Sequence, residues 1–154
     1  EYLSPLLLFM KFANSSWRRI NLSGSQDSTI SLNESAKNLD INIDKRLRER
    51  NYGDWQGYSK LEKHLENPEL LLNVRRGWET PPPNGESIAM VNARVSRLLD
   101  EIVTVMQNEQ INVAIACSGN SIRPIRKRFE NLTNDEASKI ETPTGKDYAA
   151  YSIK

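Results

Sequence analysis

The residues best placed to do chemistry lie at one junction, the run "INVAIACSGNSIRPIRKRF" at 111–129. An apolar stretch ends in Cys117-Ser118-Gly119-Asn120-Ser121, and a basic segment follows. A strand that passes through such a turn into a helix leaves backbone N–H groups at the helix N-terminus, where partial positive charge attracts anions. In an open α/β sheet this is also the carboxyl end of a strand, where ligands collect. An ordinary tight turn uses the same residues, so the junction alone does not define an anion site. Cys117 and Arg123 add a sharper reading. A helix N-terminus lowers a thiol pKa, which would favour Cys117 as a nucleophile with the cationic Arg123 six residues on. A buried structural cysteine is the plainer reading of Cys117.

Composition narrows the chemistry. The chain holds a single cysteine and a single histidine, His64. An internal disulfide, a cysteine metal cluster and any mechanism that needs two histidines are excluded, and no metal is expected. His64 sits in Leu61-Glu62-Lys63-His64-Leu65-Glu66, which reads as a surface helix. Net charge is +1, so no global field calls for nucleic acid or a membrane. The basic clusters Arg46 to Arg50, Arg75-Arg76 and Arg123 to Arg128 are local. Trp17, Trp55 and Trp78 are not spaced to stack bases on one face and read as packing residues. Leu6 to Met10 is too short to span a membrane, and no small-residue cleavage site follows it. A reducing, cytoplasmic setting is expected.

The elements that must position this chemistry can be read from periodicity. The 154 residues suffice for one domain, 1–154, with 38% hydrophobic and 27% charged residues. Leu6 to Met10 reads as a buried strand, 13–35 as loop, Ala36 to Leu39 as a helix end, and Ile41 to Asp44 as an alternating strand. Residues 59–76 are helical, with Pro68 starting a second piece. Thr80 to Gly85 form a rigid loop. Ile88, Val91, Val95, Leu98, Leu99, Ile102 and Met106 share one helical face, which 108–110 break. Ile111 to Cys117 read as a strand buried on both faces. Ser121 to Leu132 read as helix, with Pro124 in its first turn. Thr133 to Glu136 form a capping box before another short helix. Tyr148 to Ile153 read as a last strand. Strands alternating with helices predict a three-layer α/β sandwich, its mostly parallel sheet flanked by helices.

Two resemblances bear on function. Cys117-x5-Arg123, in the form Cys-x-Gly-Asn-x-x-Arg, resembles the low-molecular-weight tyrosine phosphatases. That family carries its loop near the N-terminus and an Asp-Pro acid late in the chain; here the loop falls at 117 and no Asp-Pro exists. The second covers nearly the whole chain. "LRERNYGDWQGYSK" (47–60), "RRGWETPPPNGES" (75–87), "VAIACSGNSIRPI" (113–125) and "ETPTGKDYAAY" (141–151) resemble, in this order, the cofactor-dependent phosphoglycerate mutases of the histidine phosphatase superfamily. "LLLFMKFANSSW" (6–17) is similar to that family's first strand and phosphate loop, and "SGSQDSTIS" (23–31) to its substrate loop.

This second resemblance implies a phosphoglycerate-mutase-like fold and phosphoryl transfer between 2- and 3-phosphoglycerate through a phosphohistidine. It also implies 2,3-bisphosphoglycerate as a primer if the protein is active, no permanently bound cofactor, a phosphorylated small molecule as partner, and possible homodimers. Lys11-Phe12-Ala13 stands where the family has Arg-His-Gly, and Ser118-Gly119-Asn120 where it has His-Gly-Asn. Lys11, Phe12 and Ser118 therefore occupy catalytic positions without an imidazole, and phenylalanine can neither attack phosphorus nor give a proton. Glu49 matches the acid/base glutamate. Ser23, Gly24, Arg50, Tyr52, Lys60, Arg75, Arg76 and Asn120 match substrate-binding positions, the arginines and lysine neutralising phosphate and carboxylate. Asn38-Leu39-Asp40 runs almost directly into Ile41, where the family carries roughly 40 more residues by usual element lengths. The expectation is an inactivated family member that keeps a basic pocket. The alternatives are a phosphatase using Cys117 and Arg123, and a non-catalytic partner or phospho-ligand-binding protein.

Overall fold

The computed structural model describes residues 25–26, 42–142 and 149–153. Its long element is helix α3, Ile88–Glu109, with α1 (Lys60–Glu66), α2 (Pro68–Arg76), α4 (Gly119–Glu130) and α5 (Asn134–Lys139) arranged around it in sequence. Strands β1 (Ser25–Gln26) and β2 (Ile43–Asp44) pair antiparallel, Ser25 opposite Asp44 and Gln26 opposite Ile43. Single 3-10 turns follow at Lys45–Leu47 and Gly53–Trp55.

Local chemistry fixes the helix starts. Ser59 and Thr133 accept from the backbone N–H of Glu62 and Glu136, whose carboxylates return the bond, so α1 and α5 open on capping boxes. Ser87 caps α3 and Asn67 caps α2, where Pro68 fills the first position. Helix α3 buries Ile88, Val91, Val95, Leu98, Leu99 and Ile102, the stripe its periodicity predicts. Val91, Val95 and Leu99 form the core cluster, with Leu47, Ile115, Ile125 and Phe129 packed against it. Each fully buried Val or Leu of this stripe contributes roughly 1.5–3 kcal/mol. Helix α4 is the main packing partner of α3. It begins at Gly119, two residues before the predicted start, so Pro124 lies in the second turn, buried.

Among the described residues, the strand expected at Ile111 to Cys117 finds no pairing partner. Residues 111–118 carry no regular secondary structure, and 111–117 are half-buried or exposed. A strand exists through its ladder, and no described segment pairs with this one. Residues 149–153 likewise form no strand, though Tyr151 is fixed on α4 by stacking on Phe129 at 4.9 Å and by donating to Glu130. The one ladder among the described residues is antiparallel rather than parallel. The expected strand at 6–10 and helix end at 36–39 lie outside the described residues.

Candidate functional site

The junction singled out in the sequence is the N-terminus of α4. Ser118 occupies the N-cap with extended backbone, yet its hydroxyl makes no capping bond. Ser118 Oγ is buried without a hydrogen-bond partner, and so are Nε and Nη1 of Arg123 one turn into the helix. Buried polar groups are nearly always paired, so three orphans around one helix start call for a ligand that accepts hydrogen bonds. Burial, and Arg76 nearby, pull the Arg123 guanidinium below its ordinary pKa; Tyr52, Glu141 and Glu49 act in the other direction.

Glu49 reaches this helix start. Its Oε1 accepts from Asn120 Nδ2 at 2.7 Å and from the Arg50 backbone N–H at 2.7 Å. The loop bearing it is held from two sides. Ser121, fully buried, donates its hydroxyl to the Arg48 carbonyl at 2.7 Å. Arg94 of α3 donates to the carbonyls of Arg46, Arg48 and Glu49. Arg94 in turn rests on Glu86, with Nε 3.0 Å from Oε1 and Nη2 3.2 Å from Oε2. Burial alone would raise the Glu86 carboxyl, but the hydrogen bonds from Arg94 and the Asn51 N–H, with the Arg94 and Arg48 charges, hold it below the usual range.

The expected site residues separate into groups. Glu49, Asn120, Ser118 and Arg123 come together. Arg76 joins them from the end of α2, where it donates to Glu141 and to the Ser138 carbonyl at 3.5 Å. Arg75 is half-buried and close enough for its charge to lower Glu141. Tyr52 lies against the Arg50 guanidinium, 5.2 Å from ring centroid to Cζ. Arg50 is turned inward: it is 2% exposed and donates to the carbonyls of Glu86 (2.5 Å), Val74 (2.9 Å) and Thr80 (3.2 Å). Its guanidinium ties helix α2 at Val74 to the loop positions Thr80 and Glu86 through three of its five N–H groups. Lys60 is exposed at the first position of α1, with no hydrogen-bond or ion-pair partner among the described residues. Lys11, Phe12, Ser23 and Gly24 lie outside the described residues.

Cys117 sits in an environment opposed to thiolate formation. Burial first, then the Glu49 charge, push its thiol up to about 12 against a smaller opposing effect of Arg94. Residue-by-residue reading missed Glu86, Arg94, Ser121 and Glu141. Arg94 carried a usable signal: it shares the helical stripe of Val91, Val95 and Leu98, and a charge on a core-facing stripe requires a buried partner. Among the described residues no three His, Cys, Asp or Glu side chains converge as metal ligands would.

A helix N-terminus with orphaned donors, arginines from two helices and an acid held beside them is an arrangement with the chemistry to take up a phosphate-like anion. The pattern of the histidine phosphatase superfamily (branch 1) matches residues 8–153, and the chain belongs to that superfamily. It is 34% identical over 130 residues to a 2,3-bisphosphoglycerate-dependent phosphoglycerate mutase of Protochlamydia amoebophila, covering 84% of this chain and 54% of the relative. It is 30% identical over 118 residues to the enzyme of the same name from Cytophaga hutchinsonii, covering 76% and 55%. Among solved structures it resembles a mycobacterial glucosyl-3-phosphoglycerate phosphatase in complex with inorganic phosphate. The TM-score there is 0.59 at 26% identity, over 67% of this chain and 53% of that one. The fold is therefore the α/β fold of the phosphoglycerate mutases, of which the described residues supply mainly the helices. The chain spans about half the length of the curated relatives it matches.

Proposed function

We propose that this chain is a phosphoglycerate-mutase-like protein that binds a phosphorylated small molecule at the α4 N-terminus and does not transfer its phosphoryl group. The observation that carries the binding half is the set of buried, unpartnered donors at Ser118 Oγ and Arg123 Nε and Nη1. Asn120 and Glu49 stand beside them, and Arg75 and Arg76 bring further positive charge. The inactive half rests on residue types. Ser118 holds the position of the family's second histidine and Phe12 that of its nucleophile. His64, the sole histidine, is exposed on α1. A polyanion such as 2,3-bisphosphoglycerate suits the orphaned donors. Its priming role requires a nucleophilic imidazole, which the chain does not offer at either position, so no step is drawn through it. The reading with Cys117 as nucleophile is the weaker one, since a thiol at about 12 is protonated near neutrality.

Calorimetric titration with 3-phosphoglycerate, run beside a mutase assay, tests both halves. The wild type is expected to bind, Arg123→Gln to bind about tenfold more weakly or worse, and neither to interconvert the phosphoglycerates. Absence of binding by the wild type would remove the first half; turnover by the pure protein would remove the second.

A further inference from the structure

Residues 141–142 pass directly over the start of α4. A Cβ built on Gly119 would lie 2.5 Å from Thr142 Oγ1, so glycine is what lets this segment approach the helix end so closely. Thr142 is thereby set on the helix N-terminus, and Glu141 beside it reaches Arg76, donor to its Oε1. The same carboxylate is close enough to act on Arg123 and Arg75, so one acidic side chain serves three guanidinium groups of the candidate site. It does so while exposed, its side chain 79% accessible, and therefore free to swing away.

We propose that Glu141 is an internal counter-anion of the arginine cluster, engaging the guanidinium that an incoming phosphate must capture, and so setting how much charge a ligand needs to enter. The inference rests on the phosphate-binding reading above and extends it from what the site attracts to what it rejects. A carboxylate is a weaker partner for an arginine fork than a phosphate dianion, which carries more charge and more acceptor oxygens. A singly charged ligand offers Arg76 no more than Glu141 already does. A phosphate dianion offers more, displaces the side chain, and meets the orphaned donors of Ser118 and Arg123 as well. Glu141 is thus a specificity-determining residue that opposes binding, unlike the residues around it.

The test is titration of the full chain with inorganic phosphate at pH 7.5, using the wild type, Glu141→Gln and Glu69→Gln. Glu69 lies in the first turn of α2 and its substitution removes the same unit of charge. Glu141→Gln is expected to bind phosphate about fivefold more tightly than the wild type, a factor on the scale of one exposed ion pair. Glu69→Gln should match the wild type. Unchanged or weaker binding by Glu141→Gln beside a wild type that binds would overturn the counter-anion role and leave the phosphate site standing. Equal tightening by both variants would overturn it too, since the cause would be net charge. Binding by Glu141→Gln alone would support it in its strongest form. No binding by any of the three would remove the phosphate site and this inference with it.

Discussion

A buried guanidinium needs strong acceptors, and Arg50 shows where they come from. Its burial pulls it below its ordinary pKa, Arg123 adds to that, and Tyr52, Glu86 and Glu49 oppose it. What keeps it inside is the set of bonds to the carbonyls of Glu86, Val74 and Thr80. Arg50→Gln should therefore destabilise the fold by about 2–4 kcal/mol, because it strands buried carbonyls as well as removing charge-assisted bonds. Urea unfolding of the variant measures this; a change within error would mean the carbonyls find water or other donors. Cys117 gives a second expectation at this scale. With its thiol at about 12, iodoacetamide at pH 8 should leave the native protein unmodified and label it once guanidinium unfolds it. Labelling of the native state at the rate of a free thiol would show the thiolate that a cysteine phosphatase requires. Both residues also mark the limit of motif matching. The resemblance over Glu49 to Tyr52 expects the Arg50 guanidinium on substrate, and the structure has three of its N–H groups on backbone carbonyls. Which way a long side chain turns depends on carbonyls contributed 24, 30 and 36 residues away.

At the scale of elements, the loops matter as much as the helices. Asn51 to Asp54 lie against Pro83 to Glu86 through Asp54 N–H to the Pro83 carbonyl (3.0 Å) and Glu86 N–H to the Asn51 carbonyl (2.8 Å). Gly53 sits at that seam with φ +52°, and a Cβ there would strike the Pro83 carbonyl and the backbone of Asn84 and Gly85. Gly57, at φ +86°, faces open space. Gly53→Ala should cost about 2–4 kcal/mol, from backbone strain plus the forced parting of the two loops, and Gly57→Ala about 1 kcal/mol from strain alone. Thermal melts of the pair check this, and equal effects would mean the seam yields without cost. The helices were legible in the sequence because their signals are local. The stripe from Ile88 to Ile102, the Thr133 capping box and Pro68 each act within a few turns of the residues they organise. The strand expected at Ile111 to Cys117 has a weaker local signal, for the opposite reason. Its apolar run is real, and Ile115 does pack on the core, but a strand needs a partner chosen from elsewhere in the chain. The α4 junction was legible as a helix start, whereas the roof that Thr142 and Glu141 place over it is a long-range contact that no local pattern announces.

For the molecule as a whole, the carboxylates that hold elements together share one electrostatic sign, and that sets its response to acid. Hydrogen bonds from Ser59 and Thr133 hold Glu62 and Glu136 low at their capping boxes. Arg126 and Tyr151 hold Glu130 low where the 149–153 segment meets α4, and Arg76 does so for Glu141. Glu86 is the buried member, joining the Arg48 to Asn51 loop to α3 through Arg94. A carboxyl whose pKa is lower in the folded than in the unfolded chain binds fewer protons when folded. Its contribution is complete above the unfolded value of about 4.3 and is lost as pH falls through the lower, folded value. Stability should therefore be nearly level from pH 7 to about 5 and fall steeply below about 4.3. Net charge of +1 at neutrality adds to the fall, because every protonation then increases like-charge repulsion. Glu86→Gln should lower stability at pH 7 by about 2–4 kcal/mol, leaving Arg94 and Arg48 without their carboxylate, and should make the acid limb shallower. Urea midpoints for both proteins between pH 7 and pH 3 measure the two effects together. If the variant keeps the full acid slope, the dominant proton-binding groups are the exposed capping carboxylates and not the Glu86–Arg94 pair, and the 46–51 loop that carries Glu49 is anchored chiefly by Ser121 and Arg50.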